Sequence, residues 1–147
     1  MRIHFVVFCL CALLLSPLLG CGGGKVPQGP KLVPVEGTVT MDGKPLAEAS
    51  VMFGTGSAFG ETDANGRFEL KAQGGKKGCP VGEFKVTVEK WVKADGSVYR
   101  SADGVSPMDA GAKQQIPARY SSPEKTELKA TVKEGGNKFE FQLKSGA

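Results

Sequence analysis

Between Val35 and Leu143 several short stretches carry apolar side chains at every second residue, and this alternation limits the chain more tightly than any other feature. Val35, Gly37 and Val39 alternate with Glu36, Thr38 and Thr40; Ala49, Val51 and Phe53 share a face. Phe68 and Leu70, then Phe84, Val86 and Val88, then Leu128, Ala130 and Val132, and finally Phe139, Phe141 and Leu143 repeat the pattern. A weaker strand is expected near Ala58–Thr62. Period two belongs to strands with one buried face. Asp42-Gly43 supplies the positive φ of a tight hairpin, and Asp63-Ala64-Asn65-Gly66 and Glu134-Gly135-Gly136-Asn137 mark further turns. No stretch after residue 34 has helical period. One apolar face per strand predicts two sheets packed face to face. The expectation is an all-β fold, a small sandwich of about seven strands over residues 35–144. At 147 residues the chain is long enough for one domain, not two.

The turn and core positions carry a family resemblance. Val35-x-Gly37-x-Val39, Gly43-Lys44-Pro45-Leu46, Ala49-x-Val51-x-Phe53, Thr62-Asp63-x-x-Gly66-x-Phe68-x-Leu70 and Gly82-x-Phe84-x-Val86-x-Val88 resemble the carboxypeptidase regulatory-like domain. That domain is a transthyretin-like (prealbumin-like) β-sandwich. The tail, with Ile116-Pro117-Ala118-Arg119-Tyr120 and Asn137-x-Phe139-x-Phe141-x-Leu143, is similar to a group of short bacterial lipoproteins built on that domain. The resemblance implies a fold. It brings no activity with it.

The first twenty residues have a different character. Arg2 precedes an apolar run from Phe5 to Leu15, and Ser16-Pro17 interrupts it. One positive charge before a short apolar stretch is the layout of a signal peptide, and the run is short for a membrane span of about 20 residues. Leu18-Leu19-Gly20-Cys21 resembles the lipobox of bacterial lipoproteins. The Cys21 thiol is the group that receives diacylglycerol, and the small Gly20 lets the peptidase reach the bond before it. Cleavage there removes residues 1–20, with Cys9, Cys11 and His4. Residues 21–34 then form a flexible tether, rich in glycine at its start and stiffened by Pro27, Pro30 and Pro34. The expected partner of Cys21 is a membrane, reached through its lipid. The protein would be exported and anchored to the cell membrane or outer membrane, its domain in the periplasm or at the cell surface.

The residues offer little catalytic chemistry. His4 is the only histidine, so the mature chain has no imidazole base or ligand, which excludes Ser-His-Asp and Cys-His centres. Zinc sites draw on Cys and His, and beyond Cys21 only Cys79 remains. Cys79 follows Lys76-Lys77, which could lower a thiol pKa, but no base or resolving cysteine accompanies it, and a plain turn or half-buried thiol is expected. An unlipidated Cys21 would leave a Cys21–Cys79 disulfide open. Asp63–Gly66 lacks the alternating ligands of a calcium loop and is read as a hairpin turn. Asp95, Asp103 and Asp109 are read as solvated acids. The net charge of +4 comes from basic residues interleaved with acids, as in Glu124-Lys125-Thr126-Glu127, which disfavours nucleic acid as a partner.

The segment from about 92 to 119 is expected to be one long loop, mobile between 93 and 118. It is flanked by or holds Trp91, Tyr99 and Tyr120, the only tryptophan and both tyrosines. These three are the candidate ligand-binding residues, able to stack on a sugar or peptide. No catalytic residue, metal or cofactor is expected. The functional expectation is a lipid-anchored, non-catalytic structural or protein-interaction module of the cell envelope, with an envelope protein or glycan as partner. The alternative is a small-ligand, carbohydrate-binding module using the 91–120 loop.

Overall fold

The computed structural model describes residues 29–146. Residues 1–20, expected as a signal peptide, Cys21 and most of the expected tether of residues 21–34 lie outside the described residues. In chain order the strands are β1 (Leu32–Val33), β2 (Val35–Met41), β3 (Lys44–Pro45), β4 (Ser50–Phe53), β5 (Ala58–Glu61), β6 (Arg67–Glu69) and β7 (Lys71–Ala72). They continue as β8 (Cys79–Pro80), β9 (Gly82–Glu89), β10 (Trp91–Val92), β11 (Lys113–Gln114), β12 (Lys129–Val132) and β13 (Asn137–Leu143), with one short helix, α1 (Ala118–Ser121).

The fold is an all-β sandwich. One sheet has the order β12-β9-β4-β5-β7; the other has the order β13-β2-β3, with β6 also paired to β2. The expected alternation is what packs them. Val35, Val39, Phe141 and Leu143 are buried from one sheet, and Val51, Phe53, Val86, Val88, Ala130 and Val132 from the other. Phe53 has no accessible surface and spans the gap. Its ring lies 5.6 Å from Phe139 and 6.3 Å from Phe141, both edge-on, and 6.2 Å from Phe84 in its own sheet. Such tilted and edge-on pairs suit the quadrupole of aromatic rings and add to the area they bury.

Three local devices shape the sheets. At the β2–β3 hairpin Asp42 and Gly43 have φ of 51° and 78°, the left-handed pair that a two-residue turn needs. Gly37 lies on the buried face of β2 opposite Phe68 and Phe139. A Cβ there would sit 2.4 Å from the Phe139 carbonyl oxygen and 2.7 Å from the Phe68 ring, so only glycine admits that ring. Asp63 closes the turn before β6, its Oδ1 accepting the backbone N–H groups of Asn65 (2.8 Å) and Arg67 (2.9 Å). After it, the chain from Arg67 to Ala72 pairs first with β2 and then with β5, so it joins the two sheets.

Two features depart from expectation, at the start of the domain and in the 92–119 segment, and the pairing of β13 is one for which the alternation carried no expectation. The folded part starts before Val35: Leu32–Val33 pairs with Pro80 and Cys79, and Val33 is 4% exposed. An extended tether end became a strand because β8 offers it a partner. β13 pairs with β2 in parallel, Asn137 opposite Val35 through Leu143 opposite Met41. This brings the two ends of the domain side by side. Finally, the segment from 92 to 119 is not one structureless loop. β10 and β11 pair in it, Trp91 opposite Gln114, a 3-10 turn covers Ser101–Asp103, and α1 follows Pro117. Pairing across a loop is a long-range contact that no local period signals.

Candidate functional site

Among the described residues, the elaborated hairpin between β10 and β11 gathers ion pairs and side-chain hydrogen bonds outside the core. Its base is fixed by Gln114, whose Oε1 accepts the N–H groups of Lys90 (2.9 Å) and Ile116 (3.2 Å). Ile116 is buried and joins the core just beyond. The Lys90 Nζ donates to the Ala47 carbonyl at 2.7 Å. Val92 bridges to Val98, and the Tyr99 N–H donates to the Trp91 carbonyl at 2.8 Å, so the chain turns back on itself at Lys93–Ser97.

Beyond this turn the loop is held by charge. Lys93 Nζ lies 2.7 Å from Asp103 Oδ2, and the same oxygen accepts the Arg100 N–H at 3.1 Å. The hydrogen bond from Lys93 holds the Asp103 carboxyl below its ordinary value and, from the other side, lifts Lys93. The Arg100 guanidinium reaches Glu48 (3.3 Å) and Glu61 (3.2 Å), so the loop leans on the β4–β5 side of the sandwich. Glu48 has a φ of 55°. The remaining acids are engaged locally. Asp95 accepts from the Ser97 N–H and hydroxyl, which lowers its pKa, and Asp109 accepts from the Ser106 hydroxyl at 2.6 Å. Among the described residues no three His, Cys, Asp or Glu side chains gather to hold a metal ion.

The structure brings together two of the three aromatic candidates. Trp91 and Tyr99 lie at the base of the loop, both half-buried. Trp91 Nε1 donates to Glu89 at 2.9 Å, and the Tyr99 hydroxyl donates to the Val105 carbonyl at 2.6 Å. Tyr120 is elsewhere in character: it is 8% exposed, belongs to the main core, and has the Arg119 guanidinium 5.0 Å from its ring centre. Its ring is a packing group that ties α1 to the sheets, so it offers no stacking face to a ligand. Cys21 lies outside the described residues.

Cys79 has no accessible surface, and burial pushes its thiol up to about 11. The cause is desolvation of the thiolate, the reverse of what activates a nucleophile. The solvent face of the β13-β2-β6 sheet carries a recess of 380 Å³ lined by Glu36, Thr38, Asp63, Arg67, Glu69 and Lys138. It mixes charges of both signs.

Sequence reasoning missed Arg100, Glu48 and Glu61, which meet from three separate segments. It also missed the free outer edge of β13. Neither has a local sequence signal.

No protein-family model matches the sequence, and no curated protein matches it. Among solved structures, a 9R-lipoxygenase from Cyanothece PCC8801 aligns with a TM-score of 0.36 and 16% identity. The alignment covers 77% of this chain and 16% of the lipoxygenase chain.

Proposed function

We propose that this chain is an exported bacterial lipoprotein, attached to the cell membrane or outer membrane through acyl groups on Cys21. Its sandwich acts as a non-catalytic structural or protein-interaction module of the envelope, of the carboxypeptidase regulatory-like kind. The observation that carries the reading is Leu18-Leu19-Gly20-Cys21, set after a short apolar run and before a Gly/Pro-rich segment that leads into β1. Two or more acyl chains, at about 0.8 kcal/mol per buried methylene, anchor a protein stably. Trp91 and Tyr99 remain as the aromatic pair for the carbohydrate-binding alternative, without Tyr120.

The test is the intact mass of protein extracted from membranes. The chain from Cys21 onward should carry a diacylglyceryl group, with or without a further acyl chain. Cys21→Ser should stop both processing and attachment. A soluble protein with an unmodified Cys21 would end the proposal. A pull-down from detergent-solubilised envelope then identifies the partner.

A further inference from the structure

We propose that the outer edge of β13 pairs antiparallel with β13 of a second copy, in the register that sets Lys138 opposite the partner's Glu140. Both sheets have open edges, and β13 is the longest of them: β3 and β7 have two residues and β12 has four, whereas β13 has seven. A long unpaired edge is a template for another strand.

The backbone defines which groups are free. In a parallel ladder alternate residues turn both polar groups toward the neighbour. The Asn137 N–H donates to Pro34, and the Leu143 carbonyl accepts from Asp42, so 137, 139, 141 and 143 face β2. The N–H and C=O groups of Lys138, Glu140 and Gln142 therefore face outward, and no partner for them occurs among the described residues. The free stretch ends where Arg119 donates to the Lys144 carbonyl at 3.0 Å.

Charge then selects the register. Two copies related by a two-fold axis exchange hydrogen bonds between outward-facing residues, which limits the centre of the pairing to a few positions. Centring on Lys138 or on Glu140 sets each against itself. Centring on Phe141 sets Lys138 against Lys144, and centring on Gln142 needs Lys144, whose carbonyl is already taken by Arg119. Centring on Phe139 sets Lys138 opposite the partner's Glu140 and repeats the pair by symmetry. Directly opposed unlike charges stabilise a strand pair and like charges destabilise it. Lys138 and Glu140 are both exposed, and neither forms an ion pair among the described residues. The same register meets Phe139, only half-buried in one copy, with the partner's Phe139 on the inner face.

The test traps the register in the full chain. Two differently tagged copies, Lys138→Cys and Glu140→Cys, are co-expressed and oxidised. Opposed residues that exchange hydrogen bonds have Cα atoms about 5.5 Å apart, within disulfide reach. The mixed dimer should form, and neither variant alone should link to itself through the new cysteine. Absence of the mixed dimer, or self-linking of either variant, overturns the proposal. In sedimentation of the detergent-extracted chain, Lys138→Glu should weaken the dimer about tenfold, and K138E/E140K should restore it. A monomeric parent chain, or a double swap that fails to restore, also overturns it. So does slow amide exchange at 138, 140 and 142 in a monomer, which would mean another segment of the chain covers the edge.

Discussion

Cys79 shows how far one residue's chemistry is set by its neighbours in space. Beside two lysines in sequence, it is paired with Val33 of β1 and sealed from water. Its proton is held longer in the folded chain than in the unfolded one, so stability contributed by the neutral thiol is present below its ordinary value of 9.0 and is lost as pH rises toward about 11. The expected outcome is slow alkylation by iodoacetamide in the native chain at pH 9, with rapid labelling in denaturant. Fast native labelling would show that the thiol is open to solvent. Gly37 and Tyr120 teach the same lesson. One is held to glycine by the Phe68 ring, and the other is drawn into the core despite lying beside a loop.

At the scale of elements, the β10–β11 hairpin is an ordered excursion that rests on the sandwich through exposed ion pairs. Such pairs contribute about 0–1 kcal/mol each, and closing a loop costs little more when it is longer. Val92 already lies opposite Lys113. Replacing 93–112 with Asn-Gly should therefore close a two-residue turn on that pair. The far-UV circular dichroism should keep its β character, and the melting temperature should stay within a few degrees. Loss of cooperative melting would instead place the excursion in the packed structure. The opposite holds for the connection after it, because Ile116 and Tyr120 are buried in the core.

In the molecule as a whole, both ends of the described part, residues 29–146, are built into the sandwich. β13 lies parallel to β2, the Asp42 N–H donates to the Leu143 carbonyl, and Asp42 Oδ1 accepts from the Ser145 N–H at 3.1 Å. β1 in turn covers Cys79. A chain starting at Val35 should be less stable in urea than one starting at Gly29 by about 1.5–3 kcal/mol, the contribution of one buried Val side chain. Its Cys79 should also label faster. Equal stability would mean that the Leu32–Val33 strand adds nothing to the fold.

The sequence alone determined the all-β character, the apolar face of the main strands and the main turns. Those features are local: alternation places every second side chain on one face, and Asp-Gly or Asx geometry needs only a few adjacent residues. The all-β sandwich followed because faces such as Val51/Phe53 and Phe139/Phe141/Leu143 have nowhere else to be buried. Leu18-Leu19-Gly20-Cys21, proposed above as a lipobox, is likewise a local pattern of adjacent residues. Only the tertiary structure decided the parallel pairing of β13 with β2, the recruitment of Leu32–Val33, the pairing inside the 92–119 segment and the separation of Tyr120 from Trp91 and Tyr99. Each joins residues far apart in the chain, and the free energy that selects such a contact comes from burial and hydrogen bonding between segments whose own sequences are compatible with several partners.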